Sequence, residues 1–196
     1  TADDLPPGTR ALLMVEADGA VEDLPRQIAA LKQALGGAGL LEIRSGFERD
    51  AIAQLWAARK SLSNAVKQIA PLKINEDVVV PVSQLADFVD FIDHTAHAQN
   101  LAVVSFGHAG NGNLHVNLMV HPDDADEMER ARLAHEAILL RVLALGGTLS
   151  GEHGIGTEKR RFVPLEIEPA TLAIMRSIKQ QFDPHGLLNP GKLFPD

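Results

Sequence analysis

The chain has 196 residues, 45% of them hydrophobic, with a formal net charge of -8 and no cysteine. That length suits one medium domain or two small ones with a real core. The acidic balance, without strong clustering of Lys and Arg, argues against nucleic acid as a partner, and the lack of cysteine excludes disulfides and thiolate metal sites.

The first ten residues, TADDLPPGTR, have neither the basic start nor the apolar stretch of a signal peptide. They read as a linker, so the expectation is a piece of a longer polypeptide. RALLMVEADG, from Arg10, predicts a strand closed by a turn, and LLEIRSG, from Leu40, a second one. Between them Ile28, Leu31 and Leu35 have helical spacing, which Gly36-Gly37 stops. Helical spacing returns from Glu48 to about Ala70. DVVVPVSQL predicts a short β-branched strand leading into a helix near Gln84 to Gln99. LAVVSFGH and NLHVNLMVH are β-rich runs on either side of a tight turn. Asp123 to Leu145 reads as a long helix with a Gly-Gly stop, GTLSGEHGIGTEKRRF as irregular chain, and Pro169 to Phe182 as a last helix before the tail DPHGLLNPGKLFPD. The expected fold is α+β, an antiparallel sheet covered by helices, with a helical C-terminal tail and no internal repeat. No apolar run is long enough to span a bilayer. With no cysteine, the expected location is the cytoplasm, with peripheral membrane association open for a full-length protein.

The run SFGHAGNGNLHVN concentrates polar chemistry at the turn. Asn111-Gly112 suits the centre of a two-residue hairpin turn, whose two positions accept positive φ. Counting outwards from it, Gly110 faces Asn113, Ala109 faces Leu114 and His108 faces His115. Directly opposed residues have Cβ atoms about 5 Å apart, and Asn117 shares the face of His115. Two imidazoles there suit zinc, manganese or iron. The spacing leaves a second reading open, a solvated hairpin whose histidines face water. A metal site needs a third ligand, and SGEHGIGTEK supplies Glu152 and His153 among Gly151, Gly154 and Gly156. That stretch also reads as a flexible loop with ordinary surface charges. It is not a nucleotide phosphate loop, since no G-K-[ST] follows.

The remaining candidates are weaker. His94 and His97 read as a solvated helix face, and His121, His135 and His185 have no obvious partner. Trp56, the single tryptophan, reads as core. Arg59, close to it on the same helix, has the bidentate geometry for an anionic ligand.

GHAGNGNLHVN, SGEHGIGTEKRRF and FDPHGLLNPGKLFP, in this order, resemble the C-terminal half of the FAD-linked oxidases related to vanillyl-alcohol oxidase. The nearest resemblance is to the D-2-hydroxyacid dehydrogenases, namely those of D-lactate and D-2-hydroxyglutarate and the FAD subunit of glycolate oxidase. It implies a ferredoxin-like cap and a divalent metal, zinc or manganese, held by His108, His115 and Glu152. It implies His153 as general base, and Arg59, Ser63, Lys73 and Asn117 as substrate-binding residues. Asn189 and Lys192 would lie near the flavin. The implied cofactor is FAD, bound mainly by an N-terminal domain that nothing here matches, so residues 1–196 would be the substrate-binding cap and C-terminal region. This chain has Asn111 where the family often has aspartate, a turn position that should spare the metal. The implied reaction is oxidation of a small D-2-hydroxyacid to the 2-oxoacid, with the electron acceptor unnamed and a homodimer allowed. Two other readings of the residues remain: a stand-alone metal hydrolase and a non-catalytic ligand-binding module.

Overall fold

A computed structural model describes residues 5–66 and 68–195, without the side chains of residues 58–65. The chain divides into two compact units, residues 1–62 and 63–196.

The first unit contains helix α1 (Leu24–Leu35), which Gly36 ends with an extended backbone. Helix α2 (Arg49–Val66) carries the chain on into the second unit. Residues 10–18 and 40–47 are not strands, contrary to expectation. A strand exists only where a second backbone takes up its N–H and C=O groups, and no partner pairs with these stretches among the described residues. Their apolar side chains, such as Leu12, Leu13 and Leu41, are exposed. Trp56, expected in the core, is also exposed on α2, at 36%.

The second unit is built on strands β1 (Leu72–Val79), β2 (Ala102–His108) and β3 (Asn113–Val120). Their order is β1-β3-β2, and both pairings are antiparallel. β1 and β2 therefore run parallel to each other with β3 between them. Helix α3 (Leu85–Ala98) makes the connection from β1 to β2, and α4 (Ala125–Ala144) follows β3. That is the split βαβ of ferredoxin-like folds. Its usual fourth strand is reduced here to one antiparallel bridge, Thr148 to Val79. Two further helices, α5 (Val163–Glu166) and α6 (Pro169–Phe182), complete the C-terminal region. No helix among the described residues is long and apolar enough to cross a membrane.

Alternation along β3 divides its roles. Leu114, Val116, Leu118 and Val120 point into the core, where Phe88, Ile92 and Ala96 of α3 meet Ile138, Leu139 and Val142 of α4. Burying each large apolar side chain contributes on the order of 2 kcal/mol. Asn113, His115, Asn117 and Met119 point to the opposite face, and all eight residues of β3 are buried. β1 begins five residues before the expected start at Asp77. The polar run Lys73 to Asp77 looks like loop, yet it pairs with β3, which supplies partners for its backbone and buries Glu76 and Asp77.

Candidate metal and substrate site

The hairpin between β2 and β3 is wider than its sequence predicts. His108 faces Asn113, and Phe106 faces His115. A 3₁₀ turn over Ala109–Asn111 leads into Gly112, whose φ is 77°. Asn111 closes the turn by accepting from the Asn113 backbone N–H at 3.4 Å. Gly112 meets Val80 backbone to backbone, and a Cβ there would lie 1.9 Å from the Val80 carbonyl oxygen. The register therefore differs from expectation by two residues, which keeps every side chain on its predicted face because the strand period is two. His108 and His115 remain neighbours, diagonal rather than opposed, with ring centroids 6.0 Å apart.

The third partner comes from the loop after Thr148. His108 Nε2 lies 3.6 Å from Glu152 Oε1, and His115 Nε2 lies 4.0 Å from Glu152 Oε2. His153 stacks on His115, with centroids 5.2 Å apart and planes 16° from parallel. Among the described residues, two overlapping groups have ligand atoms within 4.8 Å of one another: His108, His115 and Glu152, and Asp77, His115 and His153. The first opens outward, since His108 and Glu152 are about half exposed while His115 is 11% exposed.

Asp77 is the residue that sequence reasoning passed over. It pairs with His115 across β1 and β3 and is fully buried. Its Oδ2 accepts from the backbone N–H groups of Glu152 and His153 at 2.5 and 2.8 Å, and its Oδ1 accepts from the Asn113 side chain at 2.7 Å. Burial alone would raise its pKa, but these donors outweigh burial and hold it at about 2. The His115 pKa moves down, chiefly through burial, which keeps its ring neutral and able to act as a ligand. Its Nδ1 is buried without a hydrogen-bond partner. The chain comes so close at Gly151 that a Cβ would lie 2.1 Å from the Asn113 amide nitrogen.

Behind the sheet, Lys159 donates to the carbonyls of Asp77 and Leu149 at 3.1 and 2.7 Å, tying β1 to the base of the Glu152 loop. It pairs with Glu76, whose other oxygen accepts from His135 at 2.6 Å. His135 therefore has a partner, contrary to expectation, and so does His121, which contacts Glu127 at 3.0 Å. His94 and His97 lie on an exposed face, as expected.

Asn117 shares the site face but is fully buried. It accepts from Asn75 at 2.8 Å and donates to the Val104 and His115 carbonyls. Lys73 lies on the same face, exposed. Lys192 lines a cavity of 340 Å³ with Asn75, Asp77, His153 and Thr157. The tail is tied to this region by a bond from the Leu193 N–H to the Gly156 carbonyl at 2.9 Å. Asn189 is exposed with φ 47°. Arg59 and Ser63 lie on α2, and their side chains are outside the described residues.

The second unit thus sets a His-His-Glu cluster on the open face of a split βαβ sheet. The chain belongs to the family of FAD linked oxidases, C-terminal domain, which matches residues 1–193. It is 33% identical over 190 residues to glycolate oxidase subunit GlcD of Bacillus subtilis, covering 97% of this chain and 40% of that protein. A probable mitochondrial D-lactate dehydrogenase of Danio rerio is 30% identical over 183 residues, covering 92% and 37%. D-2-hydroxyglutarate dehydrogenase of Stutzerimonas stutzeri is 34% identical over 145 residues, covering 71% and 31%. The chain thus spans two fifths or less of the length of these relatives.

Proposed function

We propose that the chain is the substrate-binding cap and C-terminal region of an FAD-dependent enzyme that oxidises a small D-2-hydroxyacid to the 2-oxoacid. The observation that carries this reading is the convergence of His108, His115 and Glu152 on one open face with His153 stacked beside them. Family membership and the names of the relatives support the substrate class.

The donor set fits a divalent cation such as zinc or manganese. Two imidazoles and a carboxylate are the ligand types of open catalytic sites. Burial lowers the His115 pKa and so favours its neutral, ligating form, and Glu152 faces both histidines. With an ion held there, the site gains a Lewis acid for the carboxylate and hydroxyl oxygens of the substrate. FAD, when bound, supplies the hydride acceptor.

The chain's own residues bind, orient and deprotonate. In this reading Arg59 takes the substrate carboxylate as a bidentate donor, helped by Ser63 and Lys73. His153 accepts the hydroxyl proton as C2 loses its hydride. Asn117 contributes by fixing the sheet beneath the substrate, since its amide is bonded to Asn75 and to two backbone carbonyls. Asn189 and Lys192 would lie near the flavin when it is bound.

The test is dye reduction by a polypeptide joining this chain to its flavin domain, supplied with D- and L-2-hydroxyacids. Turnover of D-acids alone is expected, and turnover of L-acids alone would sink the reading. The 196-residue chain by itself should not reduce the dye. Ester hydrolysis by that chain would favour a stand-alone hydrolase, and 2-hydroxyacid binding without metal would favour a binding module.

A further inference from the structure

The ring of His115 is enclosed on three sides. Phe106 lies across from it on β2 at 5.6 Å between centroids, His153 stacks on it, and Asp77 sits beside it on β1. Its Nδ1 lies 3.5 Å from Asp77 Oδ1, and its Nε2 faces Glu152 at 4.0 Å. A neutral imidazole carries one proton, on one of these two nitrogens. A bare Nδ1 would turn its lone pair onto a buried carboxylate. A proton on Nδ1 removes that repulsion and leaves Nε2 bare toward Glu152.

We propose that Asp77 is a positioning residue that fixes His115 as the Nδ1–H tautomer and so presents Nε2 as the ligand atom. The inference rests on the reading of His108, His115 and Glu152 as metal ligands. Metal-bound histidines commonly give their second ring nitrogen to a carboxylate, which sets the ring and raises its basicity. Here the carboxylate faces Nδ1 at 3.5 Å and acts on it through its charge, while its Oδ2 receives the backbone N–H groups of Glu152 and His153. One buried side chain thereby sets the ring of one ligand and the backbone of another. Lys159 holds Asp77 in turn, through the Asp77 carbonyl. A bare Nε2 facing a carboxylate is an electron-rich gap that a cation fills.

The decisive measurement is a ¹H–¹⁵N correlation of the histidine rings in the metal-free 196-residue chain, above the imidazole titration range. Wild type is expected to show His115 protonated on Nδ1. Asp77→Asn keeps the shape and removes the charge, so the Nε2–H form should grow and the zinc dissociation constant should rise about 10- to 100-fold. An Nε2–H tautomer in wild type overturns the proposal, and that spectrum decides even if the variant does not fold. Unchanged tautomer and zinc affinity in a folded Asp77→Asn also overturn it. An Nδ1–H signal in a wild-type protein that binds neither zinc nor manganese would leave the role of Asp77 standing and remove the metal reading instead.

Discussion

Lys159 and Glu76 form an ion pair at 3.3 Å, with both side chains less than a tenth exposed. The pair sits behind the site, and the same ammonium group holds the carbonyls of Asp77 and Leu149. Removing one member of a buried pair strands the other, at a cost of about 3 kcal/mol. Lys159→Met should therefore destabilise the chain by about that much in denaturant unfolding. A loss below about 1 kcal/mol would mean that His135 alone compensates Glu76.

Gly151 makes a sharper claim about space. A methyl group there would meet the Asn113 amide at 2.1 Å, with Asp77 Oδ1 and Val79 Cγ2 both at 3.0 Å. Two of these three neighbours belong to the network that holds Glu152 and His153. Gly151→Ala should cost about 2 kcal/mol and weaken metal binding in parallel. Gly37→Ala, with open space around it, is the control and should leave both unchanged. Normal stability and metal affinity in Gly151→Ala would contradict this packing.

Acid should expose the contribution of Asp77. Its carboxyl sits at about 2 in the folded chain, against an ordinary 3.8. A lowered acid pKa stabilises the fold above the unfolded value, and that stability is lost as pH falls from 3.8 through about 2. The gap corresponds to about 2 kcal/mol. Unfolding free energies measured with chelator present should fall less steeply in Asp77→Asn over this window. Parallel acid limbs for the two proteins would show that the carboxylate gains nothing from its donors.

The two overlapping ligand groups predict different losses. If His108, His115 and Glu152 hold the ion, the double variant His108→Ala, His115→Ala should lose zinc or manganese by elemental analysis. His153→Gln should keep it near stoichiometry while the flavin-containing enzyme loses turnover. Loss of metal in His153→Gln would transfer the ion to Asp77, His115 and His153.

Much of this was legible in the sequence where the local signals agreed. Pro169 to Phe182 is helix α6 to the residue, and Gly36 ends α1 as its glycine pair predicts. The histidine face survived an incorrect turn because parity along a strand is sturdier than register. Asp77 could not be found the same way. Its polar neighbours suggest loop, and only the pairing with β3 shows that it faces His115. The partners of His135 and His121 arise through folding, since Glu76 lies 59 residues from His135 and an acid six residues from His121 has no helical spacing to announce it. The two N-terminal runs failed for the opposite reason. Their composition favours extended chain, but a strand also needs a neighbour, which composition does not supply.

The division of labour along β3 has a consequence for motion. Residues that face the site alternate with residues that anchor the core, so His115 cannot be released while Leu114 and Val116 stay in place. Its backbone amide should exchange with solvent only when the whole unit opens, at the slow end of the protein's range. Glu152 rides on a loop whose residues 151–154 are exposed, and its amide, held by the Asp77 carboxylate rather than by a strand ladder, should exchange when that contact opens, before the whole unit does. Capture and release of an ion would then be timed by the loop, against a strand that behaves as a fixed jaw.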